Sequence, residues 1–202
     1  MTRPATGCFT RTVLAGVLSA GLVAACVTAA HVDVSPHVDV SPPSGALSAY
    51  VAVSVATVWT TPQSPRPVDR PALTNPVDIR GWLSDMTPAQ QEALSSDNLT
   101  KTQALFGDRV SVVGEHGDWE EVVVPGQPTP NNALGDPGWI PKAQLTTDPV
   151  YGELKKDAPF ALADRGITTW LYHDSGLSDH DLEISTNTRL PVLIRTDTRQ
   201  FG

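Results

Sequence analysis

The chain has 202 residues, of which 14 are Lys or Arg and 22 are Asp or Glu, for a formal net charge of -8. Only 18% of residues are charged, while 18 prolines and 15 glycines favour short strands and many turns over long helices. No surplus of Lys and Arg exists to meet a run of phosphates, so nucleic acid is excluded as a partner and the fold class expected is all-β.

Residues 1–30 read as an export signal. A short start with Arg3 and Arg11 is followed by the run "TVLAGVLSAGLVAAC", too short for an ordinary membrane span. The protein is therefore expected outside the cytoplasm, in the extracellular space or the cell wall. "LVAAC", ending at Cys26, has the form of a bacterial lipobox, in which the cysteine is lipidated and becomes the mature N-terminus. The alternative is ordinary cleavage after the small residues of "VTAA", with Cys26 discarded. A membrane is reached only through that lipid anchor. Cys8 and Cys26 are the two cysteines, so residues beyond 26 hold no disulfide, thiolate nucleophile or cysteine metal ligand.

Residues 31–48 form a Pro-rich linker opening with "HVDVSPHVDVSP", a six-residue unit repeated over 31–42. Two copies cannot stack into a solenoid, and nothing holds His31, Asp33, His37 and Asp39 in a metal-binding geometry, so a spacer is expected.

From Tyr50, "YVAVSVATVW" sets Val51, Val53 and Val55 against small residues, the period of one strand with a heavily buried face. "PQSPRPVDRPALTNP" carries five prolines and predicts a long exposed loop without regular structure. Two short helices then decorate it. In "NPVDIRGWLSDM", Asn75 is the expected N-cap with Pro76 at the first helical position, and Val77, Trp82, Leu83 and Met86 share part of one face; in "TPAQQEAL" the device recurs with Thr87, Pro88 and Gln90. Strand signals resume at "TKTQALF", "DRVSVVGE", "DWEEVVV" and "GWIPKAQL", with tight turns between them, so residues 49–147 are expected to form a small antiparallel barrel.

"TTDPVYGELKKDAP" reads as a polar linker. "ITTWLYHDSG" and "EISTNTRLPVLIRTDT" then supply the first strands of a second, similar unit over 148–202, with no "DW…VVV" or "GWIP" equivalent after them. That unit is expected to be incomplete, with exposed ladder edges, and mobile, protease-sensitive or paired through those edges.

Together, "VWTTPQSPRPVDRPAL", "TQALFGDRVSVVGEHGDWEEVVVPGQPTP" and "GDPGWIPKAQL" resemble the N-terminal bacterial SH3 (SH3b) region of secreted NlpC/P60 cell-wall endopeptidases. "TTWLYHDSGLSDHDLEISTNTRLPVL" is similar to the opening of the second SH3 module of those proteins. The resemblance implies an SH3-like barrel with a helical insertion in a long loop, followed by a truncated second SH3-like unit. Relatives hydrolyse the γ-D-glutamyl to diamino-acid bond of peptidoglycan stem peptides with a Cys nucleophile in an Asp-Cys-Ser-Gly motif and a downstream His. No such motif occurs here and no cysteine follows Cys26, so no catalytic residue carries over and no enzymatic activity is expected.

Two clusters hold residue types that other chemistry would need, "GEHGDWEE" with Glu115, His116, Asp118, Glu120 and Glu121, and "HDSGLSDHDLE" with His173, Asp174, Asp179, His180, Asp181 and Glu183. Zinc needs three or four convergent ligands and a glycosidase two facing carboxylates; strand alternation sends Glu120 and Glu121 to opposite faces. Solvated loops are the default, and neither a metal nor any other cofactor is expected.

Residues 117–145 also resemble, more distantly, the end of eukaryotic SH3 domains. Trp119 falls at the groove tryptophan and Pro141 at the groove proline, but Gln144 takes the place of the groove tyrosine, which argues against proline-peptide binding. Trp59, Trp119 and Trp139 are expected as barrel fillers, with Trp119 open to a binding role because it begins its strand after a turn, and Trp82 pins its helix to the barrel. In the resembled family the first module lies near the catalytic cleft, which makes Tyr50, Trp82, Trp119, Asp136 and Gln144 the candidate ligand surface. The expected function is binding of peptidoglycan stem peptide or glycan. The alternatives are a remnant without autonomous function, and an envelope lipoprotein adaptor that recruits a partner protein through the exposed strands of the second module.

Overall fold

The computed structural model describes residues 46–130, 132–164 and 166–193. The expected export segment at 1–30 with Cys26, and the duplication at 31–42, lie outside the described residues.

In chain order the first unit runs β1 (Leu47–Val51), β2 (Val55–Trp59), a 3-10 turn (Pro67–Leu73), α1 (Ile79–Asp85), α2 (Pro88–Ser96), β3 (Thr100–Leu105), β4 (Arg109–His116), β5 (Trp119–Val124), β6 (Asp136–Pro141), a second 3-10 turn (Lys142–Gln144) and β7 (Leu145–Thr146). The seven strands pair antiparallel in the order β3-β2-β6-β5-β4-β1-β7 and curl around one interior. The fold is all-β, an SH3-like unit with short helices in one long loop.

The stretch from Tyr50 to Trp59, expected as one strand, is two. β1 pairs with β4 and β7, whereas β2 pairs with β3 and β6. The break lies where backbone partners change: the Ala52 N–H donates to the Gln144 carbonyl, and the Phe106 N–H reaches the Ser54 carbonyl. The valine alternation holds across the corner, with Val51, Val53 and Val55 all buried.

Strand alternation sorts the side chains into two clusters. Inward go Ala56 and Val58 of β2, Val110 of β4, Val122 and Val124 of β5 and Ile140 of β6, joined by Ala49, Val51 and Val53. This interior is aliphatic, and each fully buried valine or isoleucine contributes about 1.5–3 kcal/mol. The tryptophans are not in it. Trp59, Trp139 and Trp119 stand at the opposite parity, on the outer face of β2, β6 and β5, with Trp59 paired across to Trp139. The expectation of tryptophan barrel fillers is therefore corrected: a shell of small aliphatic residues fills the barrel, and the indoles make a second core beneath the insertion. The two sheet elements approach closely there. A side-chain carbon at Gly138 would lie 2.5 Å from Val58 Cγ1 and 2.7 Å from the Trp59 carbonyl oxygen, so only glycine fits.

The Pro-rich stretch differs from the expected exposed loop as well. Pro67 opens a 3-10 turn where a missing N–H costs nothing, and Asp69 and Ala72 within it are fully buried. α1 begins three residues later than expected. Asp78, not Asn75, caps it by accepting the Gly81 N–H at 2.8 Å, while the Asn75 amide donates to the Ala143 carbonyl. Trp82 and Met86 are buried as expected, but Leu83 is exposed. α2 starts as expected, with the Thr87 and Gln90 side chains in reciprocal capping bonds.

Beyond Thr146 the expected linker is a helix, α3 (Pro149–Asp157), capped by Asp148 with Pro149 in its first turn. It lies against the first unit through aromatic edges: Tyr151 meets Tyr50 at 5.3 Å and Phe106 at 6.2 Å between ring centroids. Gly152 sits over the Tyr50 ring, where a side-chain carbon would approach the hydroxyl to 2.6 Å. β8 (Phe160–Leu162), β9 (Thr168–Tyr172), β10 (His180–Ser185) and β11 (Arg189–Pro191) follow as two antiparallel pairs, β9 with β10 and β8 with β11. Their core is thin. Ile184 is the large apolar side chain fully buried among the described residues of this second SH3b unit.

Candidate functional site

The aromatic cluster under the insertion is held by one carboxylate. Asp69, fully buried, accepts the Trp82 indole N–H at 2.8 Å, the Arg66 backbone N–H at 2.7 Å, and Arg66 Nε and Nη2 at 2.8 and 2.9 Å. Burial alone pushes this carboxyl up; the hydrogen bonds from the Arg66 side chain, its backbone and Trp82 outweigh that and hold it below the ordinary carboxylate range. Trp82 in turn lies 6.1 Å from Trp59 between ring centroids. The insertion is thereby fixed over β2, which is buried on both faces.

Trp119 and Trp139 rim this cluster, each packed on it and each partly exposed. Trp119 starts β5 after a turn in which Gly117 takes a positive φ of 57°, and it pairs with His116 on one side and Pro141 on the other. Glu121 pairs with Trp139. Around the neighbouring corner Lys142 Nζ lies 2.8 Å from Glu115 and 3.9 Å from Glu120. Its hydrogen bond holds Glu115 below the usual range, and the same contact raises Lys142. Half-buried indole surface with the Glu121 carboxylate on the same strand face suits ligands that present both apolar faces and hydrogen-bonding edges.

The five residues expected to form one ligand surface do not do so. Trp82 is buried at 2% exposure with its N–H committed to Asp69. Gln144 is wholly buried, and its amide donates to the Ala72 and Thr74 carbonyls at 2.9 Å each, tying the second 3-10 turn to the insertion. The amide thus closes, from within, the place where a groove aromatic would stand. Tyr50 is buried under α3. Asp136 is partly exposed at the far end of β6, five residues from Pro141. Trp119 alone of the five is on the rim of the aromatic cluster, and Trp139 and Glu121 join it there.

Asp69 and Arg66 do not stand out by residue type. The signal was present, since Arg66-Pro67-Val68-Asp69 spaces a base and an acid across one turn with proline at its start. Part of the second acidic cluster serves structure. Asp174 accepts the Ser178 and Asp179 N–H groups within its loop, and Glu183 takes Arg80 at 2.5 Å and Thr168 at 2.5 Å.

Residues 167–200 match the YKFC SH3b2 domain. Over 145 residues, 72% of the chain, it is 46% identical to a gamma-D-glutamyl-L-lysine dipeptidyl-peptidase of Bacillus cereus, covering 43% of that protein. It is 38% identical over 150 residues to the protein of the same name from Bacillus subtilis, covering 47% of it. The structure of an NlpC/P60 family protein from Bacillus cereus superposes with a TM-score of 0.68 at 41% identity, over 74% of this chain and 48% of that one. The chain thus spans less than half the length of the relatives it matches. Its insertion-bearing first unit and the second unit that follows are homologous to the bacterial SH3 region of NlpC/P60 peptidases.

Proposed function

We propose that this chain is the SH3b part of an exported cell-wall hydrolase of the NlpC/P60 kind, and that it binds peptidoglycan without chemistry of its own. Trp119 carries the reading. It is a partly exposed indole held on a cluster of buried tryptophans, with Trp139 and Glu121 on the same strand face. Such a surface stacks on the apolar faces of a sugar or peptide at small entropic cost. Similarity to two peptidases named for γ-D-glutamyl-L-lysine points to a stem peptide or its glycan as the ligand. A binding rather than catalytic role is supported by the cysteines, which stand at positions 8 and 26, before both SH3-like units. An exported location is supported by the export-like segment at 1–30.

Co-sedimentation of the full chain with purified sacculi tests this. Wild-type protein is expected in the pellet, and Trp119→Ala is expected to bind about thirtyfold more weakly, the loss typical of a central aromatic anchor. Glu121→Gln, which keeps all indole packing, is expected to weaken binding with an unchanged melting temperature. Wild-type protein left in the supernatant, or Trp119→Ala altering stability alone, overturns the reading.

A further inference from the structure

A cleft of about 420 Å³ opens between α1 of the first unit and the β9–β10 hairpin of the second. Its size lies within the range of about 300–1,000 Å³ found for ligand sites. Ile79 and Leu83 form one wall, and Ile167, Trp170 and Leu182 the other. These are not ordinary surface residues. Leu83 is 47% exposed, Ile167 85% and Trp170 44%, a contiguous apolar lining of the kind that marks binding surfaces. Trp170 is also held in place: His180 meets it edge-on at 4.8 Å and itself lies 4.8 Å from Tyr172.

Charge selects the occupant. Arg80, on the α1 wall, reaches across to Glu183 and Thr168, so those two charges offset one another. Asp78 and Asp181 also line the cleft. Asp78 spends one oxygen on the Gly81 N–H, and the ionic contact of Asp181 is with His173 at 3.5 Å, a residue charged only when protonated. Neither carboxylate is paired with a permanent cation among the described ion pairs, so the apolar cleft carries two negative charges in its lining. An anion is repelled, a neutral sugar leaves both carboxylates without a counter-charge, and a short peptide with an apolar side chain and a free amine matches both features.

We propose that this cleft is a second ligand site, taking a short peptide whose apolar side chain lies on Trp170 and whose amine lies against Asp181 and Asp78. It shares no residue with the Trp119 surface.

Isothermal titration calorimetry of the full chain with Nα-acetyl-leucyl-lysine amide, its Nε-acetylated form and chitotriose tests it. The free amine is expected to bind, with the acetylated form about tenfold weaker, since it loses its contacts to two solvent-exposed carboxylates together. Asp181→Asn, an exposed position that leaves the fold intact, is expected to weaken binding about five- to tenfold, and Trp170→Ala to abolish it. Trp119→Ala is expected to leave it unchanged. No heat at millimolar probe overturns the proposal, as does equal binding of the acetylated form, indifference to both cleft substitutions, or chitotriose binding in place of the peptide. Sacculus binding that persists in Trp170→Ala while the dipeptide fails would leave the Trp119 reading standing and remove this one alone.

Discussion

Asp69→Ala removes a carboxylate on which four hydrogen bonds converge, three from Arg66 and one from the Trp82 indole. The indole N–H is then left without a partner in an apolar pocket, at about 1–3 kcal/mol. Arg66 also loses its counter-ion. Truncating one partner of a fully buried pair costs about 3–5 kcal/mol. Arg66 keeps 23% side-chain exposure and a 2.8 Å bond to the Gln90 carbonyl, so its share is smaller. The expected destabilisation is about 3 kcal/mol. For a chain of this size that lowers the melting temperature by about 6–12 °C, measured by circular dichroism. A double-mutant cycle with Trp82→Phe should return a coupling of about 1 kcal/mol or more, as for residues in one hydrogen-bond network. The sign with pH follows from the carboxyl being held below its unfolded value. Its contribution is complete above about pH 4 and is lost as pH falls through the folded value. The stability gap between wild type and Asp69→Ala should therefore narrow in acid. A loss below about 1 kcal/mol, or a gap constant from neutral to strongly acidic pH, would refute the carboxylate as the clamp.

Gln144→Leu keeps the volume but strips a donor from the Ala72 and Thr74 carbonyls, so urea denaturation should show a loss of about 1–3 kcal/mol, with faster protease cutting within 62–76; unchanged stability would show that the amide bonds contribute nothing net. Gly138→Ala puts a methyl 2.7 Å from the Trp59 carbonyl oxygen, which cannot swing aside. Overpacking at such a site costs about 1–3 kcal/mol, and a variant with the wild-type urea midpoint would contradict the close β2–β6 approach.

Much of the barrel was legible because its strands obey local rules. Valine alternation, the Gly107 and Gly117 turns and the Thr87-Pro88-Gln90 helix start each encode structure within a few residues. What failed depends on partners distant in the chain. Periodicity shows that Trp59, Trp119 and Trp139 share a parity, but not which side of a sheet has a lid over it, and the lid here is the Pro-rich insertion that reads as an exposed loop. Asp148-Pro149 was a helix start in the same manner as Thr87-Pro88, hidden by the polar residues after it. Gln144 looked like a vacancy in a binding groove because the Ala72 and Thr74 carbonyls that occupy its amide lie some seventy positions away. The partly exposed position of Trp119 was accordingly legible, because its place after a turn is local information, and the burial of Tyr50, Trp82 and Gln144 was not.

The partition of the indoles gives the molecule two optical reporters. Trp59, Trp82, Trp119 and Trp139 form one packed group, and Trp170 stands apart on an exposed hairpin. Buried Trp59 and Trp82 will emit to the blue and exchange excitation with their neighbours, while Trp170 emits from a wetter environment at longer wavelength. Red-edge excitation therefore follows the second unit and the total intensity follows the first, so an ordinary fluorimeter can tell whether the two halves of this chain melt together.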